Sequence, residues 1–247
     1  MNVSRKLPAT LLLSLLLGAC AANPAPTGPV VAADAQMQAL ADEYVDAELQ
    51  RDPGVAYFVG LEAPRHDRLP DNSPAALAAW QAREDGFLAR LADIDPGRIG
   101  QPALRVAHAQ LREQLESNRQ LRICHRELWS ISHMDGWHLV LAELAERQPI
   151  DTPGLREQAL RRYADLARFV DQEIANLRSG LDAGYSVPRS VVTRALAQMD
   201  GYLPDKVEDS PLYDPARRSN DESFRMAYAS LLATRMQPAM QRYRNFL

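Results

Sequence analysis

The run from Thr152 to Gly184, TPGLREQALRRYADLARFVDQEIANLRSGLDAG, decides the fold. Thr152 followed by Pro153 is a helix start: a capping hydroxyl precedes a proline at the first helical position, where its missing N–H is not needed. Tyr163, Leu166, Val170, Ile174, Leu177 and Leu181 then recur at spacings of 3, 4, 4, 3 and 4. This near-heptad seam predicts one long helix over about 153–183, packed nearly antiparallel against a neighbour. Gly184 closes it in a C-cap role. Arg161 and Arg162 read as its solvated surface.

The same grammar recurs on both sides. Met37, Leu40, Ala41, Tyr44, Val45 and Leu49 give one apolar face to a helix from about Asp34 to Arg51, stopped by Asp52-Pro53-Gly54. Ser73 and Pro74 open another, lined by Leu77, Trp80, Phe87, Leu88 and Leu91, and a further helix starts near Pro102. Residues 121–136 are the least helical, with Gly136 as a joint before a short helix from Trp137 to Arg147. Pro188 begins a helix with Val191, Val192, Leu196 and Met199 on one face, and 203–218 reads as loop. Ser219 and Glu222 stand in capping-box spacing before a last helix that Pro238 should kink. The class is all-α, a multi-helix bundle-like array over residues 34–247.

The chain has 28 basic and 32 acidic residues, net charge −4, well mixed, and no basic stripe that would suit nucleic acid. Its two cysteines are Cys20 and Cys124. If Cys20 is modified, Cys124 has no partner and reads as a small buried residue.

The start of the chain is an address. Arg5 and Lys6 precede an apolar run from Leu7 to Leu17, too short to span a bilayer core, which needs about 20 residues. Leu17-Gly18-Ala19-Cys20 resembles a lipobox. Residues 1–19 are therefore expected to be a lipoprotein signal peptide, with lipid on Cys20 as the membrane anchor. By resemblance to envelope sorting, Ala21 in place of aspartate favours the outer membrane, facing the periplasm. Residues 20–33, rich in proline and alanine, read as a tether.

No complete catalytic constellation is present. H-E-x-x-H and G-x-S-x-G are both missing from the 247 residues. His133 and His138 are five apart, about 140° on a helix, and would share a ligand only if Gly136 broke it. A zinc site from Cys124, His133 and His138 is therefore the weaker reading, and half-buried, hydrogen-bonded histidines beside Trp129 and Trp137 the stronger. An intermediate reading makes His133, Asp135, Gly136 and His138 part of a substrate-cleft wall.

Several segments are ordered as in a known family: Arg68-Leu69-Pro70-Asp71 with Ser73-Pro74, Leu91 to Pro96, Met134 to Leu139, Gly184 to Val192, Ser210 to Tyr213, Pro238 and Phe246-Leu247. Through them the chain resembles the N-terminal half of the bacterial family called domain of unknown function 885. Members look like largely helical zinc metallopeptidases of the gluzincin type. They are often exported lipoproteins about twice this length, with the metal motif in the second half. The resemblance implies that this chain is the N-terminal portion of such a protein, forming one wall of a peptide cleft. An apolar helix face running up to Leu247 fits that expectation. Zinc and the peptide substrate belong only to a full-length form, and no cofactor, metal ligand or catalytic residue carries over to these residues. The alternative is a stand-alone periplasmic helical lipoprotein that binds or scaffolds a partner.

Overall fold

The computed structural model describes residues 29–247. The expected signal peptide, Cys20 and most of the expected tether lie outside the described residues. Among those described there are eleven α-helical segments and no strand, so the protein is all-α.

The first helix, α1 (Pro29–Arg51), begins about a turn before the expected Asp34 and takes in the end of the expected tether. Ala33 is buried, and the Asp34 carboxylate accepts from the Gly100 amide at 2.8 Å, so this early turn is fastened to the start of a later helix. After the short α2 (Val55–Val59) and an irregular linker come α3 (Pro74–Ala92) and α4 (Pro102–Leu121). The Ser73 hydroxyl caps α3 by accepting from the Ala76 amide at 3.2 Å. Helices α1, α3 and α4 enclose one core, centred on Met37, Leu40, Trp80, Phe87, Leu91 and Leu115.

Two 3₁₀ turns, Arg122–Cys124 and Arg126–Leu128, cross to the second and larger core. It is built from α5 (Trp137–Arg147), α6 (Pro153–Ala164), α7 (Leu166–Asp182), α8 (Arg189–Asp200), α9 (Asp214–Arg218), α10 (Glu222–Leu231) and α11 (Gln237–Phe246). Thr152 caps α6 by accepting from the Leu155 amide, and Gly184 takes the left-handed conformation, φ 86°, past the end of α7.

The structure corrects four expectations. The single long helix over 153–183 is broken at Asp165, whose amide is shared between the carbonyls of Arg161 and Arg162. Its seam survives as buried Tyr163, Leu166, Val170, Ile174 and Leu177, but Leu181 is exposed. Arg162 is not solvated: it is fully buried and donates to Arg68 O, Tyr57 Oη and Gln148 Oε1. Residues 203–218 contain α9 and two 3₁₀ turns rather than open loop, with Leu212 and Ala216 fully buried. The last helix is capped by Asp221, not Ser219, through the Phe224 amide. It widens into a π-turn at Leu232–Met236 just ahead of Pro238. That turn accommodates the residue that has no N–H to give to a regular ladder.

Candidate functional site

A cavity of about 660 Å³ opens where the two cores meet. It lies between the end of α1, the linker at Asp71–Asn72, the irregular segment 126–136 and α7. A smaller cavity of about 330 Å³ adjoins it and shares Arg51, Asn72, Asp135 and Trp137 with it. Together they have the size and mixed lining of a small-molecule or peptide site.

Segment 126–136 is placed from behind by α7. A Cβ on Gly180 would stand 1.8 Å from the Leu128 carbonyl, so glycine in the last turn of α7 is what lets the 3₁₀ turn lie on the helix backbone. Trp129 then donates its indole N–H to Cys124 O at 2.8 Å. Ser132 folds the next turn, its hydroxyl bonding Asp135 and accepting from the Met134 and Asp135 amides. Gly136 follows with ordinary dihedrals, φ −61° and ψ 147°; it is required by space, since a Cβ would fall 2.3 Å from Ser132 O.

The expected wall residues separate. His133, Asp135 and Gly136 line the large cavity. His138 does not: in the first turn of α5 its ring points into the larger core, edge-on to Trp137 and Tyr202. There its Nε2 meets Gln198 Oε1 at 2.9 Å. Burial lowers the His138 pKa, only partly offset by that bond. Gln198 in turn donates to His133 O, and Arg194 donates to His133 Nε2. Because a guanidinium can only donate, His133 accepts at Nε2 and its proton sits on Nδ1, a buried nitrogen with no partner among the described residues.

Sequence reasoning missed the most buried charge in the cleft. Glu173, on α7, is 4% exposed, and it lines the cavity. Asn72 Nδ2 donates to its Oε1 at 2.9 Å and Ser130 Oγ to its Oε2 at 3.2 Å. Burial pushes its pKa up, against the smaller pull of these two neutral donors. Beside it Asn176 donates to Asn72 O at 2.9 Å, so α7 holds the linker with a second polar side chain. The signal is present in the sequence: Val170, Glu173 and Leu177 stand 3 and 4 apart, which puts a carboxylate inside an apolar stripe.

The histidines do not suit a metal. Among the described residues no group of three or more His, Cys, Asp or Glu side chains is placed to hold an ion. His133 and His138 are each engaged through Nε2 with α8. His125 is exposed in a left-handed turn, φ 44°, and Cys124 is half-buried rather than enclosed. Zinc therefore has no seat on these residues, and no chemical step passes through it.

The fold and this site define a helical protein with an aromatic-walled, carboxylate-floored cleft between two cores. The chain belongs to the family described as "Bacterial protein of unknown function (DUF885)", which matches residues 53–247. No curated protein matches it.

Proposed function

We propose that this chain forms one wall of a peptide-binding cleft in a lipid-anchored envelope protein of zinc-peptidase type. The zinc and the general base come from sequence outside these 247 residues. The observation that carries the reading is the 660 Å³ cavity, whose wall is the Ser132–Trp137 segment and whose floor holds Glu173. Trp129, Ile131, Trp137 and Val191 offer apolar surface for side chains. Asn72 and His133 offer polar groups for a peptide backbone. The metallopeptidase part rests on the family resemblance, and the anchor on the leader and Cys20.

Among the described residues no helix is long and apolar enough to cross a membrane; the proposed attachment is the lipid on Cys20. Peptides added to the purified full chain are expected to change the fluorescence of Trp129 and Trp137 saturably and to remain intact. Chelator-sensitive cleavage by this chain with added zinc would overturn the division of labour. Fatty-acid labelling in cells that survives Cys20→Ser would overturn the anchor.

A further inference from the structure

We infer that Glu173 anchors an ammonium group carried by the peptide, either a free N-terminus or a lysine side chain. The inference rests on the cleft reading above and adds the chemistry that the cleft selects. Among the described residues two carboxylates are equally buried, at 4% exposure: Glu84 and Glu173. Glu84 has a cation, with Arg122 Nη2 at 3.2 Å, as well as Asn118 at 2.7 Å. Glu173 has only Asn72 and Ser130, both neutral, and among the described residues no cation pairs with it. A carboxylate accepts at about four lone-pair sites, so two bonds leave acceptor capacity unused.

The surroundings do not supply the missing charge. Asp71, Glu127, Asp135 and Glu173 line the cavity against Arg51 and Arg126. Arg51 is already engaged, 3.5 Å from Glu48 and 5.0 Å from the centre of the Trp80 ring. The cleft is thus net acidic around a carboxylate that lacks a counter-ion. If Glu173 served only to tie α7 to Asn72 and Ser130, glutamine would serve without burying a charge. A compact ammonium needs one open lone pair, whereas a guanidinium fork needs both oxygens open along one edge, and each already carries a donor.

Peptide pairs that differ only in N-terminal acetylation, and acetylated pairs that differ only in lysine against norleucine, separate the two sources of ammonium. Their binding to the full chain is measured by calorimetry. The expected result is a preference on the order of tenfold or more for the cationic member of at least one pair. Glu173→Gln should abolish that preference, bringing the two members of the preferred pair to the same affinity as each other. Butylamine but not butanol should displace the preferred peptide from the unaltered chain, a readout that needs no folded variant. Peptides that bind with no preference, or a preference that survives Glu173→Gln, would overturn the anchor and leave the cleft standing. Absence of any peptide binding would bring down the cleft reading and the anchor with it.

Discussion

Arg162 and Glu173 carry the same lesson with opposite charge. Both lie on the stripe that runs through Ala159, Tyr163, Leu166, Val170 and Leu177, and both are buried. The register places them inside, whereas residue type alone points Arg162 to solvent. For Glu173 the energetic consequence has a definite sign. Its carboxyl holds a proton more tightly in the folded chain than the ordinary value of 4.5, so the folded state binds more protons than the unfolded chain just above that pH. Stability from this group is therefore present at acid pH and lost as pH rises past 4.5 through the raised folded value. Glu173→Gln should melt at a higher temperature than the parent at neutral pH, and the advantage should shrink toward zero near about pH 4. Thermal denaturation of both proteins across that range checks this. An advantage that grows on acidification would contradict it.

At the scale of the element, most helices are legible because caps and periodicity agree. Ser73-Pro74, Thr152-Pro153 and Pro102 each begin a helix where the local chemistry predicts. What is not legible is where a helix yields to its neighbours. Arg162, in the last turn of α6 before the break at Asp165, reaches Gln148 and Tyr57, partners on other segments that no local period reveals. The π-turn before Pro238 is equally invisible in spacing. Close approaches are the third hidden feature, and they can be tested by adding one methyl. Gly136→Ala would press a Cβ against Ser132 O and the His138 ring. The expected cost is about 1–3 kcal/mol of overpacking, or roughly 2–4 °C in melting temperature for each kcal/mol in a chain of this size. Trp137 fluorescence should shift as the turn before α5 moves. Gly86 is the control: it is exposed in the middle of α3, and a Cβ there would meet nothing within 4 Å. Gly86→Ala should stabilise by up to about 1 kcal/mol. Two substitutions of the same size with opposite signs would show that the Gly136 effect is steric and local.

Across the whole molecule, the two cores are joined by a stretch with no period of its own. Residues 65–73 reach forward about a hundred positions through side chains: Arg162 binds Arg68 O, Arg168 binds Pro70 O, and Asn72 binds Glu173. The helices and the all-α class can be read from the sequence, and with them part of one cavity wall, His133, Asp135 and Gly136; the rest of the cleft cannot, because it is made by this linker and by the remainder of segment 126–136. Polar bonds between distant residues leave no pattern in either stretch. Two histidines mark this junction. The His66 amide binds Gln158 and its ring meets Tyr57, while His138 secures segment 132–138 to α8 through Gln198. Both have pKa values lowered first by burial, and Arg162 also opposes charge on His66. A base kept neutral by the fold contributes stability that is complete above its ordinary value of 6.5. That stability is lost as pH falls, because the unfolded chain takes up the proton first. His138 should dominate, since it is 2% exposed while His66 is only partly covered. In a Glu173→Gln background, which removes the opposing carboxylate, the chain should therefore melt lower at about pH 5.5 than at about pH 7.5. His138→Gln, whose amide can still reach Gln198, should remove most of that difference. Because His138 stands behind the cleft wall rather than in it, the same variant should bind peptides at neutral pH as the parent does. A variant that keeps the full acid sensitivity would place its source elsewhere in the molecule.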